Sequence, residues 1–271
     1  MSAAQPFTAL IGFGEAGSTF ARAGHWNARG WDILDERRAA MPESGVNAAG
    51  SAEAALADAA IVLSLVTADS ALPVAHECAR FLTPGAIWCD MNSVAPDTKR
   101  AAARAVEEAG GRYVDVAVMA PVDPTALGVP LLLSGAAAEN AAALLGALGF
   151  SDARVVGDEI GRASAIKMIR SVMVKGIEAL SFECAEAARE AGVLDEVLAS
   201  LDASEKQAPW SEKFAYNRER METHGLRRAA EMEEAVKTLL DLGIEPVMTR
   251  GTVVLQRRAA TKGKDKRTRA A

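Results

Sequence analysis

The stretch Phe7-Thr8-Ala9-Leu10-Ile11-Gly12-Phe13-Gly14-Glu15-Ala16-Gly17-Ser18-Thr19-Phe20-Ala21 decides how this chain folds. Its first five residues are apolar and β-prone, and a run that short and apolar reads as a strand buried on both faces. A Gly-x-Gly-x-x-Gly turn follows at once, and helix-like residues follow the turn. Glycines placed between a buried strand and a helix start form a dinucleotide-binding turn. Gly12 permits the tight turn, Gly14 leaves the backbone open to a pyrophosphate, and Gly17 lets the helix lie close on the strand. The helix start then directs unpaired N–H groups and a positive dipole end at the phosphates. Phe13, Glu15 and Ala16 complete the turn and are expected at the cofactor beside the glycines.

A site of this kind needs an acidic residue at the end of the second strand, about 20 residues on, to hold the adenosine ribose. Gly30-Trp31-Asp32-Ile33-Leu34-Asp35 reads as that strand, with Asp35 at its end. A carboxylate there accepts hydrogen bonds from ribose hydroxyls and repels a 2′-phosphate, which favours NAD. Arg37 and Arg38 come next, and an arginine near this place grips the 2′-phosphate of NADP instead. The cofactor is therefore NAD or NADP, with NAD slightly favoured.

The chain has 271 residues, half of them hydrophobic, enough for two ordinary domains with a sizeable core. A formal net charge of −6 argues against nucleic acid as a partner. Cys78, Cys89 and Cys184 are widely spaced and odd in number, so they suggest neither a metal site nor a disulfide framework. They are expected as small buried hydrophobes in a reducing cytoplasm. No apolar stretch approaches the ~18 residues of a membrane span, and no signal-peptide pattern opens the chain.

Strand and helix signals alternate up to about residue 157. Strands are expected at Phe7–Phe13, Trp31–Asp35, Ile61–Leu65, Ala86–Asp90, Tyr113–Val118, Leu131–Ser134 and Ala153–Val156, with alanine-rich helices such as Ser70–Phe81, Pro96–Ala109 and Glu139–Leu148 between them. That alternation predicts an α/β domain, a doubly wound, mostly parallel Rossmann sheet over residues 1–159. An all-α C-terminal domain follows over 160–256, with helices at Ala163–Ala191, Leu194–Leu201, Trp210–His224 and Leu226–Leu242. Residues 257–271 are basic and polar and are expected to be a disordered tail. An apolar helical domain of this sort suggests a homodimer.

Ligands of an open α/β sheet sit beyond the carboxyl ends of its strands. Val66 and Thr67 end one strand there and suit the adenosine half. Asn92 and Ser93 end another and suit the nicotinamide side or the substrate, although Ser93 also fits as a helix N-cap. The helix from Ala163 is apolar almost all round between Ile166 and Leu180, so it is expected to be largely buried. Ser164, Lys167, Ser171 and Glu178 fall along one stripe of it, with Arg170 and Lys175 near its edge. Polar groups on a buried helix must be paired or face a cavity, and a desolvated lysine can trade protons near neutrality. Among the histidines, His224 is the one placed to reach the crevice.

Together with the glycine turn, Asp90-Met91-Asn92-Ser93-Val94-Ala95-Pro96, Tyr113-Val114-Asp115 and Gly161-Arg162-Ala163-Ser164-Ala165-Ile166-Lys167 carry a resemblance. The chain resembles the β-hydroxyacid dehydrogenases, which include 3-hydroxyisobutyrate and 6-phosphogluconate dehydrogenases, and more closely their branch with a distinct helical C-terminal domain. The resemblance implies reversible hydride transfer between nicotinamide and a carbon bearing a hydroxyl, with Lys167 as general acid and base and Ser171 where the family commonly has asparagine. It also sets Met119-Ala120-Pro121 where the family has a Ser-Gly-Gly loop that binds the substrate carboxylate through backbone groups. Proline has no N–H to donate, so a larger or more apolar substrate is expected, with Arg170 or Lys175 holding any anion. Two other readings remain open: an imine reductase, which shares the architecture but usually lacks this lysine, and a non-catalytic dinucleotide-binding module.

Overall fold

A parallel sheet grows outward from β1 (Thr8–Ile11), whose four residues are all buried. The structure is a computed structural model that describes residues 7–204 and 207–270, without the side chains at 231, 234, 237 and 263–270. The first six residues of the expected nucleotide-binding domain, and Ala271 of the expected tail, lie outside the described residues. The chain forms two compact units, Met1–Ser171 and Val172–Ala271.

In the first unit, β1 leads through α1 (Glu15–Gly24) to β2 (Ala28–Trp31), α2 (Asp35–Ala40), β3 (Val46–Ala48), α3 (Ala52–Leu56) and β4 (Ile61–Ser64). Then come α4 (Ala71–Ala79), β5 (Ile87–Asp90), α5 (Pro96–Glu108), β6 (Arg112–Val118), β7 (Leu131–Ser134), α6 (Ala138–Ala147), β8 (Ala153–Gly157) and the start of α7 (Arg162–Glu190). The eight strands lie in the order β3-β2-β1-β4-β5-β6-β7-β8. Neighbours run parallel except β6 and β7, which are antiparallel. The order reverses between β1 and β4, and that switch point opens a crevice beyond the strand ends.

Alternating residues of each strand feed two cores. Leu10, Leu63, Cys89 and Val116 join Phe13 and Phe20 on one face. Ala9, Ile11, Val62, Trp88 and Tyr113 join Leu56 and Val106 on the other. Each large apolar side chain buried this fully contributes roughly 1.5–3 kcal/mol, which explains why these strands are mostly apolar.

The second strand departs from expectation. It ends at Trp31, four residues before Asp35. Asp32 turns the chain instead, accepting the Leu34 N–H at 2.9 Å. Ile33 and Leu34 are 78% and 49% exposed, so their apolarity does not mark a buried strand. The short edge strand β3 also escaped the sequence reading, because only Val46 of its three residues is buried.

The second unit holds most of α7, then α8 (Leu194–Ser204), α9 (Trp210–Asp241) and α10 (Val247–Ala270). The expected boundary near residue 160 lies at the start of α7, whereas the two units divide within that helix, between Ser171 and Val172. The break expected at Gly225 is absent: α9 runs through it, and a Cβ there would collide with the Gln256 carbonyl oxygen of α10. That glycine serves close helix packing. Residues 257–270, expected to be disordered, are helical. No proline interrupts them, alanine, arginine and lysine are good helix formers, and Val253, Gln256 and Ala260 are buried. The expectation that Ile166–Leu180 is largely buried also fails: Ile169 and Val172 are each 72% exposed, and Ile177 and Leu180 are exposed with them.

Candidate functional site

The glycine turn has the geometry its spacing predicts. Gly12 has φ +92°, and a Cβ there would stand 2.5 Å from the Leu65 carbonyl oxygen. A Cβ on Gly17 would meet the Gly12 carbonyl oxygen at 2.8 Å, so α1 lies hard against the turn. A Cβ on Gly14 would meet nothing within 4 Å, which leaves that backbone open to a ligand. Phe13 itself is buried in the core; its contribution here is its backbone N–H, which donates to Asp32 Oδ2 at 2.7 Å.

One cavity, of about 350 Å³, opens on the β2 side. Gly12, Gly14, Asp32, Arg37, Val66 and Thr67 are among its walls, with Ile33 and Leu34 supplying apolar surface. Arg38 does not reach it, being tied to the Asp32 carbonyl oxygen and to Asp35. Asp35 opens α2 with a side chain that is 92% exposed. It therefore does not stand at the strand end where a ribose carboxylate belongs. Asp32 does, and the signal for it was present: it directly follows the last residue paired with β1, Trp31.

A second cavity, of about 440 Å³, opens on the other side of the turn. Glu15, Ala16, Val66, Asn92, Ser93, Ala120, Pro121 and Lys167 line it, along with Met91, Val118 and Val122. Lys167 is half-buried rather than enclosed, and its Nζ donates to Ser93 Oγ at 2.6 Å. Asn92 is 5% exposed. Its Nδ2 donates to Asp90 Oδ1 at 2.8 Å and to Ser64 Oγ at 3.0 Å. Because Asp90 can only accept, this fixes which way the amide points. Among the described residues, Asn92 Oδ1 has no hydrogen-bond partner.

Behind Asn92 lies a charged cluster that sequence reasoning missed. Lys99 is wholly buried, and its Nζ donates to the Asp90 carbonyl oxygen at 2.6 Å and to Asp90 Oδ1 at 2.9 Å. It also faces Asp115 Oδ1 at 3.5 Å. The Tyr113 hydroxyl donates to Asp90 Oδ2 at 2.5 Å. Burial, and then the Asp90 carboxylate, push the Tyr113 phenol far above its ordinary pKa, so it stays a donor. Asp115 Oδ2 accepts the backbone N–H of Ser164 at 2.9 Å, in the first turn of α7, and Ser134 Oγ at 3.2 Å. The clue was an aspartate in the apolar run Tyr113–Val118, since a buried charge demands a partner.

Other expected residues stand apart. Met119 packs its side chain beside Ala117, Leu132 and Ala163 rather than into the cavity, and only its carbonyl oxygen meets Arg170 Nη1, at 3.5 Å. Arg170 is exposed, and neither it nor Ser171 lines the cavity. Lys175 and His224 are exposed residues of the second unit. Among the described residues no cluster of metal-ligating side chains occurs, and no helix is long and apolar enough to cross a membrane.

Residues 8–157 match the model of the NAD binding domain of 6-phosphogluconate dehydrogenase. Residues 188–259 match a domain of unknown function, DUF1932. A conserved hypothetical protein from Sinorhizobium meliloti is 35% identical, over 96% of this chain and 90% of its own, with a TM-score of 0.64. A conserved protein of unknown function, noted for structural similarity with 3-hydroxyacid dehydrogenases, is 30% identical over 98% of this chain and 99% of its own, with a TM-score of 0.62. An imine reductase from Myxococcus stipitatus in complex with NADP+ shares the fold at 20% identity, covering 95% of both chains with a TM-score of 0.77.

Proposed function

We propose a reaction for a chain that belongs to the β-hydroxyacid dehydrogenase superfamily and binds NAD or NADP. As an oxidoreductase it transfers a hydride reversibly between the nicotinamide and a carbon bearing a hydroxyl, with Lys167 as general acid and base. The observation that carries this reading is the Lys167–Ser93 hydrogen bond, 2.6 Å long, inside the cavity beside the glycine turn.

The residues fit the cofactor. Gly14 presents open backbone, the start of α1 offers its N–H groups to the pyrophosphate, and Asp32 takes the adenosine ribose hydroxyls in the cavity that Arg37, Val66 and Thr67 share. Asn92 Oδ1, a buried acceptor with no partner in the described residues, would take an N–H from the nicotinamide side. When bound, the nicotinamide supplies the hydride acceptor or donor. Lys167 Nζ takes the substrate hydroxyl proton in oxidation and returns it to the carbonyl oxygen in reduction. Ser93 Oγ holds that nitrogen in place. Ala120 and Pro121 bound the substrate space with Val118 and Val122, which favours an apolar substrate.

A second reading, reduction of a C=N bond, rests on the same loop. In Met119-Ala120-Pro121 the proline has no N–H to offer a carboxylate, while Glu15 adds an acceptor suited to an N–H. Absorbance at 340 nm decides between the two readings: hydroxyacids and alcohols are offered with NAD+ and NADP+, and cyclic imines with NADH and NADPH. Oxidation of alcohols is expected; turnover of imines alone would overturn the CH–OH reading. The chain works as a homodimer, because Val172, Ile177, Leu180 and Phe182 of α7 leave apolar surface exposed that a second copy would cover. Sedimentation at a monomer mass would contradict this.

A further inference from the structure

The cavity residues Asn92, Ser93 and Lys167 come from two separate elements, and a buried ring of hydrogen bonds joins them from behind. On one side Asp90 Oδ1 accepts from the Asn92 backbone N–H at 3.0 Å and from Asn92 Nδ2 at 2.8 Å. On the other, Asp115 Oδ2 accepts the Ser164 N–H, three residues before Lys167 on α7. The Ala163 N–H next to it donates to Ser134 Oγ at 3.0 Å, and that hydroxyl donates to the same Asp115 oxygen. Lys99 Nζ stands between the two carboxylates, at 2.9 Å from Asp90 Oδ1 and 3.5 Å from Asp115 Oδ1. The ring closes in the cavity, where Lys167 Nζ donates to Ser93 Oγ.

We propose that Lys99 is a positioning residue: from beneath the cavity it holds Asn92 and the start of α7 in register, so that the nicotinamide half of the cofactor meets a prearranged acceptor. This rests on the reading of the site as a NAD(P) site. Two buried carboxylates would repel each other without a cation between them. With Lys99 beside it, Asp90 Oδ1 accepts from both the backbone N–H and Nδ2 of Asn92, which leaves Asn92 Oδ1 as the amide's remaining acceptor. Lys99 is buried and lines neither of the two cavities, and so acts through Asn92 and α7. Its charge is what matters, because it stands between the two carboxylates and offsets their repulsion.

The test compares NADH with ADP-ribose, which shares the adenosine and pyrophosphate and lacks the nicotinamide. Both are titrated by calorimetry into wild type, Lys99→Met, Asn92→Ala and the double variant. Lys99→Met is expected to weaken NADH at least tenfold and ADP-ribose less than twofold. In the Asn92→Ala background its effect on NADH shrinks to less than threefold, because the group it positions is gone. An equal loss for both ligands, an unchanged NADH affinity, or additive effects in the double variant would each overturn the proposal. Should Lys99→Met fail to fold, Lys99→Gln keeps a polar side chain beside Asp90 and removes the charge. It then gives the same NADH-selective loss at about threefold, and no selectivity overturns the proposal. If wild type binds neither ligand, the failure belongs to the cofactor reading itself.

Discussion

Replacing Asp32 by alanine tests which acid holds the adenosine ribose. A carboxylate has about four lone-pair sites. The Phe13 N–H at 2.7 Å and the Leu34 N–H at 2.9 Å already occupy two of the sites on Asp32, which leaves about two for ribose hydroxyls. A hydrogen bond to a charged group is worth roughly 1.5–3 kcal/mol. At about 1.4 kcal/mol per tenfold, the net loss of even one such bond in Asp32→Ala is expected to raise the NADH Kd about 10- to 150-fold. NADPH responds differently, because the same carboxylate would face its 2′-phosphate. Its Kd is expected to change less than threefold, or to fall, with Arg37 in the same cavity wall to meet the phosphate. Asp35→Ala is the control: its side chain is solvent-exposed and occupied with Arg38, so neither cofactor changes by more than twofold. Titration of nicotinamide fluorescence with both cofactors measures all of this. Equal weakening of both by Asp32→Ala would make Asp32 a turn-former only, and an NADH-selective loss in Asp35→Ala would refute the assignment.

Two further predictions concern stability and reactivity. Glu183 accepts from Thr249 Oγ1 at 2.6 Å and from the Met248 and Thr249 N–H groups at 2.8 and 3.0 Å, capping α10. Burial pushes its carboxyl up, but these hydrogen bonds together outweigh burial and hold it below its ordinary value of 4.5. A depressed folded value means the contribution is present above about pH 4.5 and lost as pH falls below it. Glu183→Gln is therefore expected to cost about 1–3 kcal/mol at pH 7 and much less in acid, read by thermal unfolding; an equal loss at both would contradict the cap. Burial, with Glu77 and Asp90 adding to it, pushes the Cys78 and Cys89 thiols up to about 12, while Cys184 is exposed. A thiol reagent at pH 8 should titrate Cys184 alone in native protein and all three in denaturant; a second fast thiol would contradict the packing.

The first strand, the turn and the first helix were legible because local propensity and pattern agree there: the apolar run to Ile11, the glycines and the helix all point one way. The second strand was misread because Ile33 and Leu34 are apolar for a reason other than burial in the sheet, since they line a cavity. Apolarity alone does not distinguish a wall left open from a core. Lys167, Asn92 and Ser93 could be picked out as polar residues at strand and helix ends, and the structure brings them into one cavity. Lys99 could not. On α5 it looks like one more solvated charge, and only the tertiary approach of β5 and β6 places Asp90 and Asp115 around it. The helical unit was least legible, because Gly225 marks a close helix contact and the charges past residue 257 sit on a helix.

The most direct test of the account is Lys167→Met, assayed for NAD+ and NADP+ reduction at 340 nm with a hydroxyl substrate turned over by the wild type, alongside NADH affinity. The variant's kcat is expected to be lower by at least ~100-fold with NADH binding within threefold of wild type, because proton transfer at Nζ is lost while the glycine turn and Asp32 are untouched. Turnover within a fewfold of wild type would contradict the role given to Lys167.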